Sequence, residues 1–162
     1  MRPNHLSRRQ VLLQLLAAPF LADALHAQSS AGPLSATAIP HGQLLQPEEL
    51  NRELQSGAPR PLILQVGSRI LYDEDHIPAA EYAGPAASPD GLNKLRARVA
   101  SLPHRQAIVI YCGCCPWDRC PNIGPAWRLL HQMGFTNVKA LYIADNFGTD
   151  WVGRGYRAQK SE

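Results

Sequence analysis

The chain has 162 residues, 45% of them hydrophobic and 18% charged, with a formal net charge of +3. That length suits one compact domain and not comfortably two. It shows no basic stripe and no acidic tail, so charge gives no reason to expect nucleic acid as a partner.

Arg2, Arg8 and Arg9 open the chain; an apolar stretch over 11–25 follows, broken by Gln14, Pro19 and Asp23, with small residues for cleavage after Ala24 or Ala27. Basic, apolar and small in that order is the layout of a secretory signal peptide, so residues 1–27 are predicted to be an export signal. The apolar part is too short and too interrupted for a bilayer, which needs roughly 20 apolar residues, so no stable membrane anchor is expected. Ser7-Arg8-Arg9-Gln10-Val11-Leu12 resembles a twin-arginine signal, a route that carries folded proteins. A general secretory signal is the alternative. Either predicts a periplasmic or secreted protein that meets the export machinery through residues 1–27. Without that segment the net charge falls to about +1, since three arginines and one aspartate leave with it. Residues 28–40 are small and turn-prone and are predicted to be a flexible tether, with the domain over 41–160.

Gln46-Pro47-Glu48-Glu49-Leu50 opens a predicted helix, with proline in its first turn and two glutamates against the positive helix end; Gly57 and Pro59 close it. The apolar run 62–66, bounded by Pro61 and Gly67, reads as a buried strand. Asp73-Glu74-Asp75 reads as a solvated loop, and His76 as a structural histidine. Ser88-Pro89-Asp90 caps a helix with Leu92, Leu95, Val99 and Leu102 on one face. The run 107–111 is apolar, β-branched and uncharged, as at the centre of a parallel sheet covered on both faces. Ile123, Trp127, Leu130 and Met133 mark a further helix that ends at Gly134 and leaves His131 on the surface; a strand over 138–143 follows. Asp145-Asn146-Phe147-Gly148 reads as a turn. Alternation of strands and helices predicts an α/β domain with a mostly parallel central sheet flanked by helices. In such sheets the functional loops lie beyond the carboxyl ends of the strands, where Cys112 follows the strongest strand.

All four cysteines fall in the nine residues 112–120: Cys112, Gly113, Cys114, Cys115, Pro116, Trp117, Asp118, Arg119 and Cys120. A structural disulfide there would close only a tiny loop and stabilise little, so the cluster points to chemistry or metal. Between a strand end and a helix N-terminus, converging backbone N–H groups and the helix dipole lower a thiol's pKa, and Arg119 adds a full charge. Cys112 is therefore the candidate nucleophile, in a cradle suited to a sulfur-bearing anion. Trp117 and Trp151 are candidate pocket walls, though large aromatics are usually core.

Four segments in order carry a family resemblance: His76-Ile77-Pro78-Ala79-Ala80, Ile108-Val109-Ile110-Tyr111-Cys112, Gly134-Phe135-Thr136-Asn137-Val138 with Leu141, and Trp151-Val152-Gly153-Arg154-Gly155-Tyr156. Together they resemble a rhodanese domain over about 47–156. The resemblance implies that Cys112 accepts a sulfane sulfur as a persulfide and passes it on, the partners being a small sulfur-containing anion or a thiol acceptor, with no cofactor required. Three departures qualify it. The family's early aspartate and arginine are replaced by Gln65 and Gly67. The arginine usually five positions after the cysteine is Trp117, and Arg119 stands two further on. Arg119 lies five after Cys114, which makes Cys114 the alternative nucleophile.

Two other chemistries compete. Cys112, Cys114, Cys115 and Cys120 offer soft thiolates for copper(I) or zinc, although adjacent Cys114 and Cys115 side chains point apart and strain four-fold ligation. Cys112-Gly113-Cys114-Cys115 also contains a C-x-x-C, and an oxidising compartment would pair Cys112 with Cys115.

Overall fold

The structure, a computed structural model, describes residues 36–161. The export signal predicted over 1–27 and the tether up to residue 35 lie outside the described residues. The last part of the tether stretch, 36–40, has a short 3-10 turn at Ala36–Ala38, and both Ala36 and Ile39 are buried in the domain core. Small apolar side chains there cover the sheet, which a reading by turn propensity does not register.

Five parallel strands form the sheet: β1 (Leu44–Leu45), β2 (Leu62–Gln65), β3 (Glu81–Tyr82), β4 (Ile108–Tyr111) and β5 (Val138–Leu141). Their order is β1-β5-β4-β2-β3, which puts β4 at the centre. All four β4 residues are buried, as its unbroken apolar run requires of a strand covered on both faces. Alternation sorts the side chains. Ile108, Ile110 and Cys112 join one apolar cluster with Leu64 and Val66, while Val109 and Tyr111 join the opposite one with Ile63.

The first cluster is covered by α3 (Pro89–Val99) and α4 (Ile123–Gln132) through Leu95, Val99, Trp127 and Leu130. Ser88 caps α3 by accepting from the Gly91 amide at 3.1 Å. The second cluster is covered by α1 (Pro47–Gln55), where Leu50 is buried and Gln46 and Glu49 complete a capping box. The edge strand β3 is tied to α3 by a two-pronged ion pair between Glu81 and Arg98. No helix among the described residues is long and apolar enough to cross a membrane.

Two loop readings change. Asp73 and Glu74 belong to a short helix, α2 (Arg69–Glu74), held by the Arg69–Asp73 pair at 2.8 Å. The predicted turn at 145–148 starts another, α5 (Phe147–Asp150), capped by Asn146 Oδ1, which accepts from the Thr149 amide at 2.9 Å. Both helices are too short for a periodic apolar face, so only tertiary contact defines them.

Candidate active site

The sheet ends in a cleft of ≈ 470 Å³ lined by residues that include Gln65, Leu71, Glu74, Asp75, Cys112, Cys114, Phe147 and Val152. It opens beyond the carboxyl ends of β2 and β4, where a parallel sheet leaves room for a ligand. A turn at Gly113 shapes the floor. Gly113 takes a φ of 75°, which folds the chain back after Cys112, and its carbonyl accepts from the Phe147 amide at 3.0 Å. A Cβ on Gly113 would stand 2.7 Å from that of Phe147.

Cys112 is buried at 4% exposure, and its sulfur is met by Cys114, Cys120 and Asn122. Cys114 Sγ lies 3.0 Å away, and Asn122 Nδ2 donates to Cys112 Sγ over 3.4 Å. The same amide reaches Cys114 Sγ at 3.9 Å. Asn122 is itself buried and fixed from its other end, since Oδ1 accepts from the Ala87 amide at 2.9 Å. Nothing in the sequence singled it out. An asparagine just before a helix reads as an N-cap, yet here it makes no side-chain cap bond, because both ends of its amide are engaged elsewhere.

Gln65 and Gly67, the positions that depart from the family, build the wall behind Cys112. Gln65 Nε2 donates to the Cys112 carbonyl at 3.2 Å and Oε1 accepts from the Gly67 amide at 3.1 Å. A Cβ on Gly67 would approach Cys112 Sγ to 2.6 Å, so any larger residue there displaces the sulfur.

All four cysteines are free thiols, and their environments differ. Hydrogen bonds given to Cys114 and Cys120, reinforced by burial, push the Cys112 thiol up. Cys114 accepts from Cys112 and Cys120 and is held well below the usual thiol range. Burial, with the contact to Cys114, drives Cys115 up to about 12. At Cys120 the bond from Cys112 pulls downward, but the bond to Cys114 and burial outweigh it, for a net rise. Ionisation within the cluster is therefore favoured at Cys114 over Cys112, and either sulfur of that contacting pair is a candidate nucleophile.

The other predicted residues fall as follows. The amides of Asn122 and Ile123, at the start of α4, point to Cys120 and not to Cys112, so the helix end cradles a different sulfur from the one expected. Arg119 does not line the cleft. Its side chain is 76% exposed and stands 3.9 Å from Asp118, because the 3-10 turn Trp117–Arg119 carries it outward. Pro116 precedes that turn and Trp117 is buried against Tyr142, beside a space too small for water that Cys115 and Cys120 also line. Trp151 is core, with Nε1 donating to the Arg157 carbonyl. His76 is buried, stacked on Tyr72 and bonded to Gln159, and exposed His131 bonds back to Trp127.

Metal binding finds no support. No group of three or more His, Cys, Asp or Glu among the described residues is arranged to hold an ion. The Cys112 and Cys114 sulfurs at 3.0 Å are closer than two ligands of a tetrahedral zinc, which at about 2.3 Å each lie nearer 3.8 Å apart. Nor is the C-x-x-C pair the contacting pair. Cys115 touches Cys114 at 3.4 Å, and Cys114 is the neighbour of Cys112.

Among solved structures, the chain is similar to a rhodanese-like domain from Anabaena sp. at 22% identity and a TM-score of 0.56, over 74% of this chain and 80% of that one. A Bacillus halodurans protein matches at 21% and 0.56, over 72% and 75%. A single-domain sulfurtransferase of Saccharomyces cerevisiae matches at 13% and 0.52, over 70% and 90%. These likenesses show the fold. No curated protein sequence matches. The sequence model of the rhodanese-like domain matches residues 46–142, from the capping box of α1 through the end of β5 and across the whole cysteine loop. The chain belongs to the rhodanese-like domain family.

Proposed function

We propose that this domain transfers sulfane sulfur through a persulfide on Cys112, outside the cytoplasm, to which the segment 1–27 directs it. The observation that carries the reading is the sulfur of Cys112 at the cleft floor, 3.0 Å from the Cys114 sulfur and 3.4 Å from a neutral amide donor. The step balances without a cofactor. Cys112 Sγ attacks the outer sulfur of a persulfide donor as its proton moves to the Cys114 thiolate. The donor's S–S bond breaks, and its thiolate leaves with the proton from Cys114. A second thiol then takes the sulfur from Cys112 by the same displacement.

The cleft also supports a choice of donor. Glu74 and Asp75 line it, and its lining includes no lysine or arginine. Thiosulfate, a dianion, meets two carboxylates and no compensating cation, whereas an uncharged persulfide on a small thiol meets no such barrier. The test is mass spectrometry of the full chain and of Cys112→Ser after exposure to a persulfide donor. One sulfur taken from the donor by the native protein, whether kept as added mass or released as sulfide, and none by the variant supports the reading; equal uptake by both sinks it.

A further inference from the structure

Of the four thiols, Cys112 and Cys114 line the cleft, while Cys115 and Cys120 do not and line, with the other side of Cys112, the inner space beside Trp117. Gly113, at a φ of 75°, turns the chain so that sulfurs two residues apart come to 3.0 Å. We propose that Cys114 is a resolving cysteine: it attacks the persulfide on Cys112, releases sulfide into the cleft and closes a Cys112–Cys114 disulfide, which makes the domain a reductase of sulfane sulfur as well as a carrier. This inference rests on the persulfide reading above.

The electrons balance within the loop. Cys114, already deprotonated, bonds to Cys112 Sγ. The bond from that atom to the terminal sulfur breaks, and its electron pair leaves as hydrosulfide. The sulfane sulfur gains two electrons, and the two cysteines lose two in becoming a disulfide. A dithiol reductant resets the pair by exchange, which a disulfide facing a cleft permits. Asn122 serves both stages, since its amide lies 3.4 Å from Cys112 Sγ and 3.9 Å from Cys114 Sγ and favours the charged form of either. Attack over so short a loop also outcompetes a dilute external thiol, because the nucleophile is held beside its target.

The experiment loads the full chain with the persulfide of 2-mercaptoethanol without oxygen or added thiol, then follows sulfide release and intact mass, with peptide mapping of the bridged residues. The native protein is expected to release one sulfide per chain and end two hydrogens lighter, bridged between Cys112 and Cys114. Cys114→Ser is expected to keep the extra sulfur on Cys112 and to release sulfide at least about tenfold more slowly. Arg119→Ala, in the same loop but exposed and outside the cleft, is expected to release it at the native rate. Native-rate release from Cys114→Ser, or a bridge that excludes Cys114, overturns this inference alone. A folded native chain that neither gains a sulfur on Cys112 nor releases sulfide overturns the persulfide reading and this inference together.

Discussion

Replacing Asn122 by aspartate tests whether its amide acts on the sulfur or only braces the loop. The change keeps an oxygen for the Ala87 amide, now 2.9 Å from Asn122 Oδ1, and so keeps the contact that fixes the loop. It replaces the donor 3.4 Å from Cys112 Sγ with an acceptor. At that distance, and an effective dielectric constant of about 20, a carboxylate and a thiolate repel by about 5 kcal/mol. That would lower the thiolate fraction at neutral pH by about three orders of magnitude, an upper bound because the buried carboxyl will take up a proton in part. Single-turnover persulfidation of Asn122→Asp should therefore fall about a hundredfold or more at pH 8. The sign of its pH dependence is fixed. Burial beside a thiolate raises the pKa of the introduced carboxyl, so the loss is full above that pKa and lifts as pH falls through it, when the protonated group donates again. Asn122→Ala removes one hydrogen bond to an ionised sulfur, about 1.5–3 kcal/mol, and should cost about ten- to a hundredfold with no such recovery. Equal rates for Asn122→Asp and the native protein at pH 8, with both folded by circular dichroism, would refute a role for the amide donor.

Gly67→Ala should lower both stability and sulfur uptake, since its Cβ would sit 2.6 Å from Cys112 Sγ; the overpacking should cost about 1–3 kcal/mol, read as a lower melting temperature. Arg119→Ala should change uptake by less than about twofold, because an exposed guanidinium 3.9 Å from Asp118 gives the site little. Iodoacetamide followed by peptide mapping should label Cys114 first, at a rate almost flat from neutral down to mildly acid pH, because its depressed pKa leaves it ionised there. Cys115, up near 12, should react only as the pH becomes strongly alkaline. Glu74→Gln with Asp75→Asn should raise uptake from thiosulfate several-fold and leave uptake from an uncharged persulfide unchanged; equal effects on both donors would show that the carboxylates do not select.

The parts of the fold legible in the sequence are those whose signal is local. The β4 run declares itself because a strand buried on both faces needs no polar residue, and Ser88 and the Gln46–Glu49 box declare helix starts through capping chemistry. The two-residue strands β1 and β3 and the short helices α2 and α5 carry no period to read, and only contact with the sheet defines them. Ala36 and Ile39 were hidden for a related reason: small apolar residues among Ser, Thr and Pro look like linker until a surface is present to bury them.

At the site, sequence located the loop but not its internal assignments, because these depend on a distance that spacing cannot supply. A C-x-x-C suggests that Cys112 and Cys115 pair, yet the left-handed turn at Gly113 brings Cys114 to Cys112 instead. An arginine near a cysteine suggests an anion clamp, yet the 3-10 turn Trp117–Arg119 carries Arg119 out to solvent. The departures at 65, 67 and 119 then fit one change. With glycine at 67 the wall moves in against the sulfur, and with Arg119 outside, the charge in the loop is met by a neutral amide and a neighbouring thiol. A guanidinium favours an anionic donor that brings its own charge, whereas a thiol pair that shares a proton can activate an uncharged one without a cation. An outward Arg119 and a contacting Cys112–Cys114 pair are thus what the proposed exchange between thiols needs, and neither offers a cation to an oxyanion donor.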